Sequence, residues 1–349
     1  MRIVVDVAPL SHPRTGVGNY IRGSLLGLTQ AGADDIVAFA PASRVGRRTI
    51  ERSLDGLGAE RRLPVVPAAH ALRIAWSRLG RPPLETLVGP FDVFHFSDWM
   101  YPPQRGGIRS TMIHDLVPLH FPDWVHRRTE RMHSAKYAHA ARACDVIVVN
   151  SRFTADDVAE TLAVDRDRIH VAYPGVDPAF TPDGPRAEGD YLLAVGTLEP
   201  RKNLANAIAA AQRLGVELRV VGARGWGGVE AEGRGVSWLG YPGDDELPAL
   251  YRGAAAFVYP SRFEGFGIPV IEALACGTPC VVSSHRSLDE AAGDAAVRAD
   301  PDDVEAIAAA VERARSERGE LVPRGLEHAR RFTWLENGRV HLAAWGAAR

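Results

Sequence analysis

Short apolar runs alternate along this chain with longer stretches in which apolar residues recur every three or four positions. The runs at 3–7, 36–40, 93–96, 111–113 and 146–149 read as strands. Helical patterns at 19–29, 127–142 and 151–162 separate some of them. The scheme then repeats, with strand-like runs at 191–195, 218–221, 236–239, 256–259 and 280–283 and helical patterns at 204–214 and 268–275. Such alternation implies parallel sheets covered by helices, arranged as two doubly wound α/β domains. Pro174, Pro178, Pro182, Gly184 and Pro185 crowd the join, which places a linker at 174–189. The domains are then 1–173 and 190–331. Thr333-Trp334-Leu335-Glu336 has the form of a capping box and opens a last helix running to about Trp345, so that 332–349 forms a terminal appendage.

Composition supports this division. A chain of 349 residues exceeds what one core usually holds. With 46% hydrophobic and 24% charged residues it reads as an ordinary soluble globular protein. No apolar run approaches the roughly 18 residues that span a bilayer. The N-terminus begins a strand rather than a signal peptide. Cys144, Cys276 and Cys280 give no disulfide framework and read as small buried hydrophobes. These features point to the cytoplasm. The net charge of −2 conceals a net of +4 over residues 1–175 and −6 over the rest. That excess is too weak to suggest nucleic acid. It leaves open peripheral contact with an anionic membrane face. A helical pattern carrying Leu72, Trp76 and Leu79 with Arg73, Arg78 and Arg81 offers a second basis for such contact, against the ordinary reading as a packed amphipathic helix.

The chemistry concentrates in two strand-to-helix turns. Glu264-Gly265-Phe266-Gly267-Ile268-Pro269-Val270-Ile271-Glu272 sets two carboxylates with seven residues between them around a Gly-rich turn. The turn and the helix N-terminus that follows suit an anion. Carboxylates beside an anion site are poor anion ligands but good acceptors for hydroxyls attached to the anion. A phosphate flanked by two polyols, a nucleotide sugar, meets that requirement. Gly265, Phe266 and Gly267 let the backbone approach phosphate. The second turn is Gly196-Thr197-Leu198-Glu199-Pro200-Arg201-Lys202-Asn203, with Asn203 expected to cap the helix after it. Arg201 and Lys202 project where a diphosphate would sit. Lys136 and Lys202 are the only lysines among 41 basic residues, so a lysine beside arginine hints at a need for a compact charge.

Taken together, the paired glutamates, the 196–203 turn, Gly240-Tyr241-Pro242-Gly243-Asp244 and Tyr259-Pro260-Ser261-Arg262-Phe263 resemble the retaining glycosyltransferases of family four, which have the GT-B fold. In the first half Thr15-Gly16-Val17-Gly18-Asn19-Tyr20, His114-Asp115 and Asn150-Ser151-Arg152-Phe153-Thr154 match as well. The resemblance covers nearly the whole chain. It is strongest over 190–300 and closest to bacterial GDP-mannose-dependent mannosyltransferases of polysaccharide and glycolipid pathways. Asn19 departs from it, since such enzymes often carry Arg there.

The resemblance implies two Rossmann-like domains facing a cleft, with the final helix crossing back to the N-terminal domain. It implies an acceptor-binding first domain and a donor-binding second one. Arg201 and Lys202 would neutralise the leaving diphosphate, Glu264 would grip the transferred sugar, and Glu272 would take the ribose. His114 would contact the donor sugar near the reacting carbon. Gly16 would line the diphosphate side, and Gly18, Gly196, Thr197 and Ile268 would be among the donor-binding residues. Val221, Tyr241 and Leu247 are the candidates for the base pocket, and His95 and Asp98 for the acceptor. No cofactor is implied beyond the nucleotide sugar as co-substrate. Asp165-Arg166-Asp167 and Asp300-Pro301-Asp302 lie away from the phosphate turns and read as solvated turns, so no metal is expected. The acceptor would be a glycan, a lipid-linked sugar or a small molecule. The alternatives are a UDP-sugar-dependent transferase, a nucleotide-sugar epimerase or hydrolase on the same fold, and a non-enzymatic nucleotide-sugar sensor. A dehydrogenase is disfavoured, because Ile21 stands where a dinucleotide fingerprint requires glycine.

Overall fold

The structure is a computed structural model that describes residues 1–12, 16–66, 72, 75–76, 79–97, 101–223, 234–243 and 246–349. Thr15, Arg73, Arg78, Asp98 and Asp244 lie outside the described residues. The chain divides into two units, Met1–Gly175 with Thr333–Arg349, and Val176–Phe332.

The first unit is built on a seven-stranded parallel sheet in the order β3-β2-β1-β4-β5-β6-β7. Its strands are β1 (Arg2–Asp6), β2 (Asp35–Phe39), β3 (Glu60–Arg62), β4 (Val93–Phe96), β5 (Ile108–Ile113), β6 (Val146–Val149) and β7 (Ile169–Val171). The central strands β4 and β6 are buried throughout, as a sheet covered on both faces requires. β3 and β7 were not expected. β3 consists of exposed Glu60, Arg61 and Arg62, so it carries no apolar signature, and β7 is only three residues long. Both are edge strands. A short, charged edge also discourages pairing with another chain.

The second unit holds a six-stranded parallel sheet in the order β10-β9-β8-β11-β12-β13. The strands are β8 (Tyr191–Val195), β9 (Glu217–Val221), β10 (Val236–Gly240), β11 (Ala256–Tyr259), β12 (Cys280–Ser283) and β13 (Ala296–Ala299). The edge strand β13, Ala-Val-Arg-Ala, is buried only at alternate residues and lacks the unbroken apolar run that marked its neighbours.

Both sheets wind outward in opposite directions from a central pair, β1 with β4 and β8 with β11. In such sheets ligands collect beyond the carboxyl ends of the strands where the winding reverses.

The last helix, Trp334–Ala347, starts at a cap in which Thr333 Oγ1 accepts from the Glu336 N–H at 3.2 Å. It belongs to the first unit. It lies against helix Gly16–Gln30 at a distance only glycine permits: a Cβ on Gly27 would land on the Trp334 carbonyl, and one on Gly338 would land on the Gly27 carbonyl. Trp345 is fully buried and donates from Nε1 to Ser110 Oγ at 2.8 Å. Trp76 is also buried, 6.3 Å from Phe39 ring to ring, so it packs inward instead of facing a membrane.

Candidate active site

In the second unit the loops leaving β8 and β11 start side by side at the point of reversed winding. Each carries one sign of charge. A 3-10 turn at Pro200–Lys202 presents Arg201 and Lys202, and the turn before helix Ile268–Ala275 presents Glu264. The loops are bonded directly, since the Arg262 N–H donates to the Arg201 carbonyl at 2.8 Å. Asn203 reinforces them in a way the sequence did not suggest. It sits in the left-handed region at φ 53° and makes no capping bond with its side chain. Its amide instead donates to the Pro260 carbonyl at 3.2 Å and to the Pro301 carbonyl.

Glu264 is the centre of this cluster and only 5% exposed. Its Oε1 accepts from Lys202 Nζ at 2.6 Å, Ser261 Oγ at 2.7 Å and the Tyr259 hydroxyl at 2.9 Å. Oε2 accepts from Arg201 Nη1 at 2.7 Å. The Tyr259 hydroxyl also accepts from Lys202 Nζ at 2.6 Å. Arg201 Nε reaches back to Glu199 at 2.9 Å. The Glu264 backbone N–H donates to Ser287 Oγ at 3.1 Å, which anchors the turn from the loop after β12.

Charge and burial compete here. Burial alone would raise the Glu264 carboxyl, but Arg201 and Lys202 outweigh it and hold the group down at about 2. Lys202 moves the other way from a stable charge. Burial and the neighbouring Arg201 lower its affinity for a proton more than Glu264 restores it. The two directions agree physically: one buried carboxylate faces two crowded cations. The carboxylate gains, and the second cation is the strained member that a further anion would relieve.

Gly267, which precedes the helix, has φ 103°, where a side chain is strained, and a Cβ there would also press on Leu288. Gly265 and Phe266 are buried in the same turn, and Phe266 meets Phe332 edge-on at 5.3 Å. Ile268 opens the helix. Glu272 is 7% exposed, and its Oε2 accepts from the Tyr251 hydroxyl at 3.2 Å. Gly196 and Thr197 follow β8. The Gly196 N–H donates to the Val221 carbonyl at 2.8 Å, and Lys202 runs alongside Gly196. Val221 is buried at the end of β9, while Tyr241 after β10 is 49% exposed and Leu247 half-buried.

In the first unit His114 follows β5 at the carboxyl edge. Its ring meets Tyr20 edge-on at 5.2 Å. Burial, and then the nearby Lys136 and His133, push it down to about 3, so it is a neutral imidazole at physiological pH. Its Nε2 is buried without a hydrogen-bond partner. Gly16 and Gly18 are not in a loop, as expected, but in the first turn of helix Gly16–Gln30, which starts three residues earlier than the pattern indicated. Gly16 is exposed and Gly18 buried.

His95 is a correction. It lies inside β4, not after it, and is 4% exposed. Its Nδ1 bonds Ser110 Oγ at 2.9 Å, and its ring packs on His341 and Trp345. The pleat turns it toward the last helix and the interior, so it offers nothing to an acceptor. Asp165, Arg166 and Asp167 are an exposed turn, and Asp302 pairs with Arg262. The three cysteines are free and buried, and burial raises the thiols of Cys144 and Cys276 to about 12.

Two parallel-sheet units with this charged turn find their match among known glycosyltransferases. Residues 14–180 match the model of glycosyltransferase family 4, and residues 179–332 match that of the glycosyl transferases group 1. O-antigen chain mannosyltransferase B of Escherichia coli is 29% identical over 96% of each chain. O-antigen chain mannosyltransferase RfbU of Salmonella typhimurium is 30% identical over 56% of this chain and 57% of that protein. Among solved structures, Anabaena HepE in complex with UDP-glucose superposes with a TM-score of 0.72 at 14% identity, over 99% of this chain and all of that one. This chain belongs to the family 4 glycosyltransferases and has the GT-B fold. It is a hexosyltransferase with mannosyltransferase relatives.

Proposed function

We propose that this enzyme moves a hexose from a nucleoside diphosphate sugar to a hydroxyl of a glycan, lipid-linked or small-molecule acceptor, with retention at the anomeric carbon. One observation carries the reading: Arg201 and Lys202 converge on the buried Glu264 where the winding of the second sheet reverses. Departure of a nucleoside diphosphate builds negative charge on its β-phosphate, and fixed cations aimed there lower the barrier. In the resting protein Arg201 is held by Glu199 and Glu264. The diphosphate therefore enters by exchange, taking a share of cations already fixed in place. Glu264 Oε2, with Arg201 as its bonded donor, keeps acceptor capacity for a sugar hydroxyl. Glu272 is assigned to the ribose, and His114 to hydroxyls of the transferred hexose.

Mannose from GDP-mannose is the first choice of donor, because the full-length relative is a mannosyltransferase. A UDP-sugar is the second reading, favoured by the UDP-glucose complex of a structural neighbour. A thermal-shift panel of GDP, UDP, ADP and their sugars separates the two: the cognate nucleotide gives the largest rise in Tm. GDP and GDP-mannose are expected to lead, and a larger shift with UDP or ADP reassigns the donor.

The cations already supply the charge that a divalent metal provides at other diphosphate sites, so we infer metal-independent transfer. Activity is expected to survive excess EDTA. Loss of activity that magnesium or manganese restores would show a ligand set beyond these residues. No helix among the described residues is long and apolar enough to cross a membrane. We place the enzyme in the cytoplasm, with the inner membrane face as its site of peripheral contact if the acceptor is lipid-linked.

A further inference from the structure

His114 is not alone at the carboxyl edge of the first sheet. Ile113 of β5 is the register partner of Val149 of β6, and His114 and Asn150 each follow by one residue. Paired residues of parallel strands point to the same face, so continuing the register one residue past the ends of β5 and β6, strands about 4.8 Å apart, sets the two side chains on one side. That side is the one covered by helix Gly16–Gln30, since the His114 ring meets Tyr20. Asn150 is 8% exposed, and its Oδ1 is buried with no hydrogen-bond partner, like Nε2 of His114.

Buried polar atoms are nearly always paired, so two orphans side by side call for an explanation. Helix capping does not supply one. The helix that follows, Arg152–Leu162, is capped by Ser151, whose Oγ accepts from the Thr154 N–H at 2.9 Å. The pair also selects its ligand. An amide oxygen only accepts and would repel a phosphate, whereas a neutral imidazole can donate or accept. Adjacent hydroxyls of a sugar ring, each able to donate and accept, satisfy both.

We propose that Asn150 is a hydroxyl-binding residue of this enzyme, its Oδ1 accepting from a sugar hydroxyl next to the one bound by His114. This rests on the glycosyltransfer reading and adds a contact to it. The sugar is the transferred hexose, to whose hydroxyls His114 is assigned, and the test checks that choice.

Asn150→Leu is nearly isosteric and removes the acceptor. Because it also removes a buried orphan, its Tm should equal or exceed that of the wild type. Its kcat/KM should fall about tenfold, and Asn150→Asp, which keeps an acceptor, should recover most of that loss. A nucleoside diphosphate alone should bind the Leu variant as it binds the wild type. Weaker binding of the nucleotide sugar supports the transferred hexose as the partner, and a raised acceptor KM with unchanged nucleotide-sugar binding overturns that choice. Wild-type kcat and KM values in the Leu variant, or a fall in Tm with a loss that Asp does not rescue, overturns the assignment while leaving transfer itself intact. A wild-type protein that transfers from no nucleotide sugar overturns the functional reading, and this assignment with it.

Discussion

Replacing Glu264 by glutamine is expected to lower unfolding free energy at neutral pH by about 3 kcal/mol and kcat by about a hundredfold. The stability figure follows from the carboxyl group, which is held at about 2 in the fold against 4.5 ordinarily. The sign is that of a depressed acid. Its contribution is complete above about pH 4.5 and is lost as pH falls toward 2. Denaturant titrations of wild type and Glu264→Gln should therefore differ most above pH 5 and converge below pH 3, to the order of magnitude of that shift. The catalytic figure follows from position. We assign this carboxylate to the place where the hexose becomes cationic, and interactions that strengthen only at that stage raise kcat. Glu272 lies about one turn inside the helix that follows, and we assign it to a ribose that does not change during reaction. Glu272→Gln should chiefly raise the donor KM, leaving kcat near wild type. The reverse pattern in the two variants would mean that the glutamate roles are exchanged.

Arg201→Ala and Lys202→Ala should each weaken nucleoside diphosphate binding and transfer by about tenfold to a hundredfold, the worth of one charge-assisted hydrogen bond. Their stabilities should differ from that of the Glu264 variant. Burial and Arg201 already disfavour the Lys202 charge, so removing that ammonium relieves a cost as well as breaking a bond. Lys202→Ala should lose less stability than Glu264→Gln. Calorimetric titration with the nucleoside diphosphate measures the binding loss, and unchanged affinity in both variants would remove the diphosphate from this turn.

Much of this architecture could be read from the chain, for identifiable physical reasons. Central strands such as β6 and β8 are apolar runs because both faces are covered, and their limits matched the pattern. The edge strands β3, β7 and β13 escaped, since an edge does not need the apolar run that marked the others. The start of helix Gly16–Gln30 was missed because glycines at its first turn look like a loop. Arg201, Lys202 and Glu264 were legible as separate turns. That they meet in one cluster depends on β8 and β11 being neighbours, a fact of strand order that no local pattern contains. His95 misled because a histidine near a strand end reads alike whether the pleat turns it inward or outward. Asn150 was passed over inside a quoted motif. The usable signal was its place directly after an apolar strand, the same position His114 holds after β5.

The central claim is retaining transfer from a nucleotide sugar, and proton NMR of the freshly formed product tests it most directly. GDP-mannose, whose anomeric centre is α, should release GDP and yield an α-linked product in the first turnovers. A β-linked product, or no nucleoside diphosphate released from any nucleotide sugar offered with an acceptor, would contradict it.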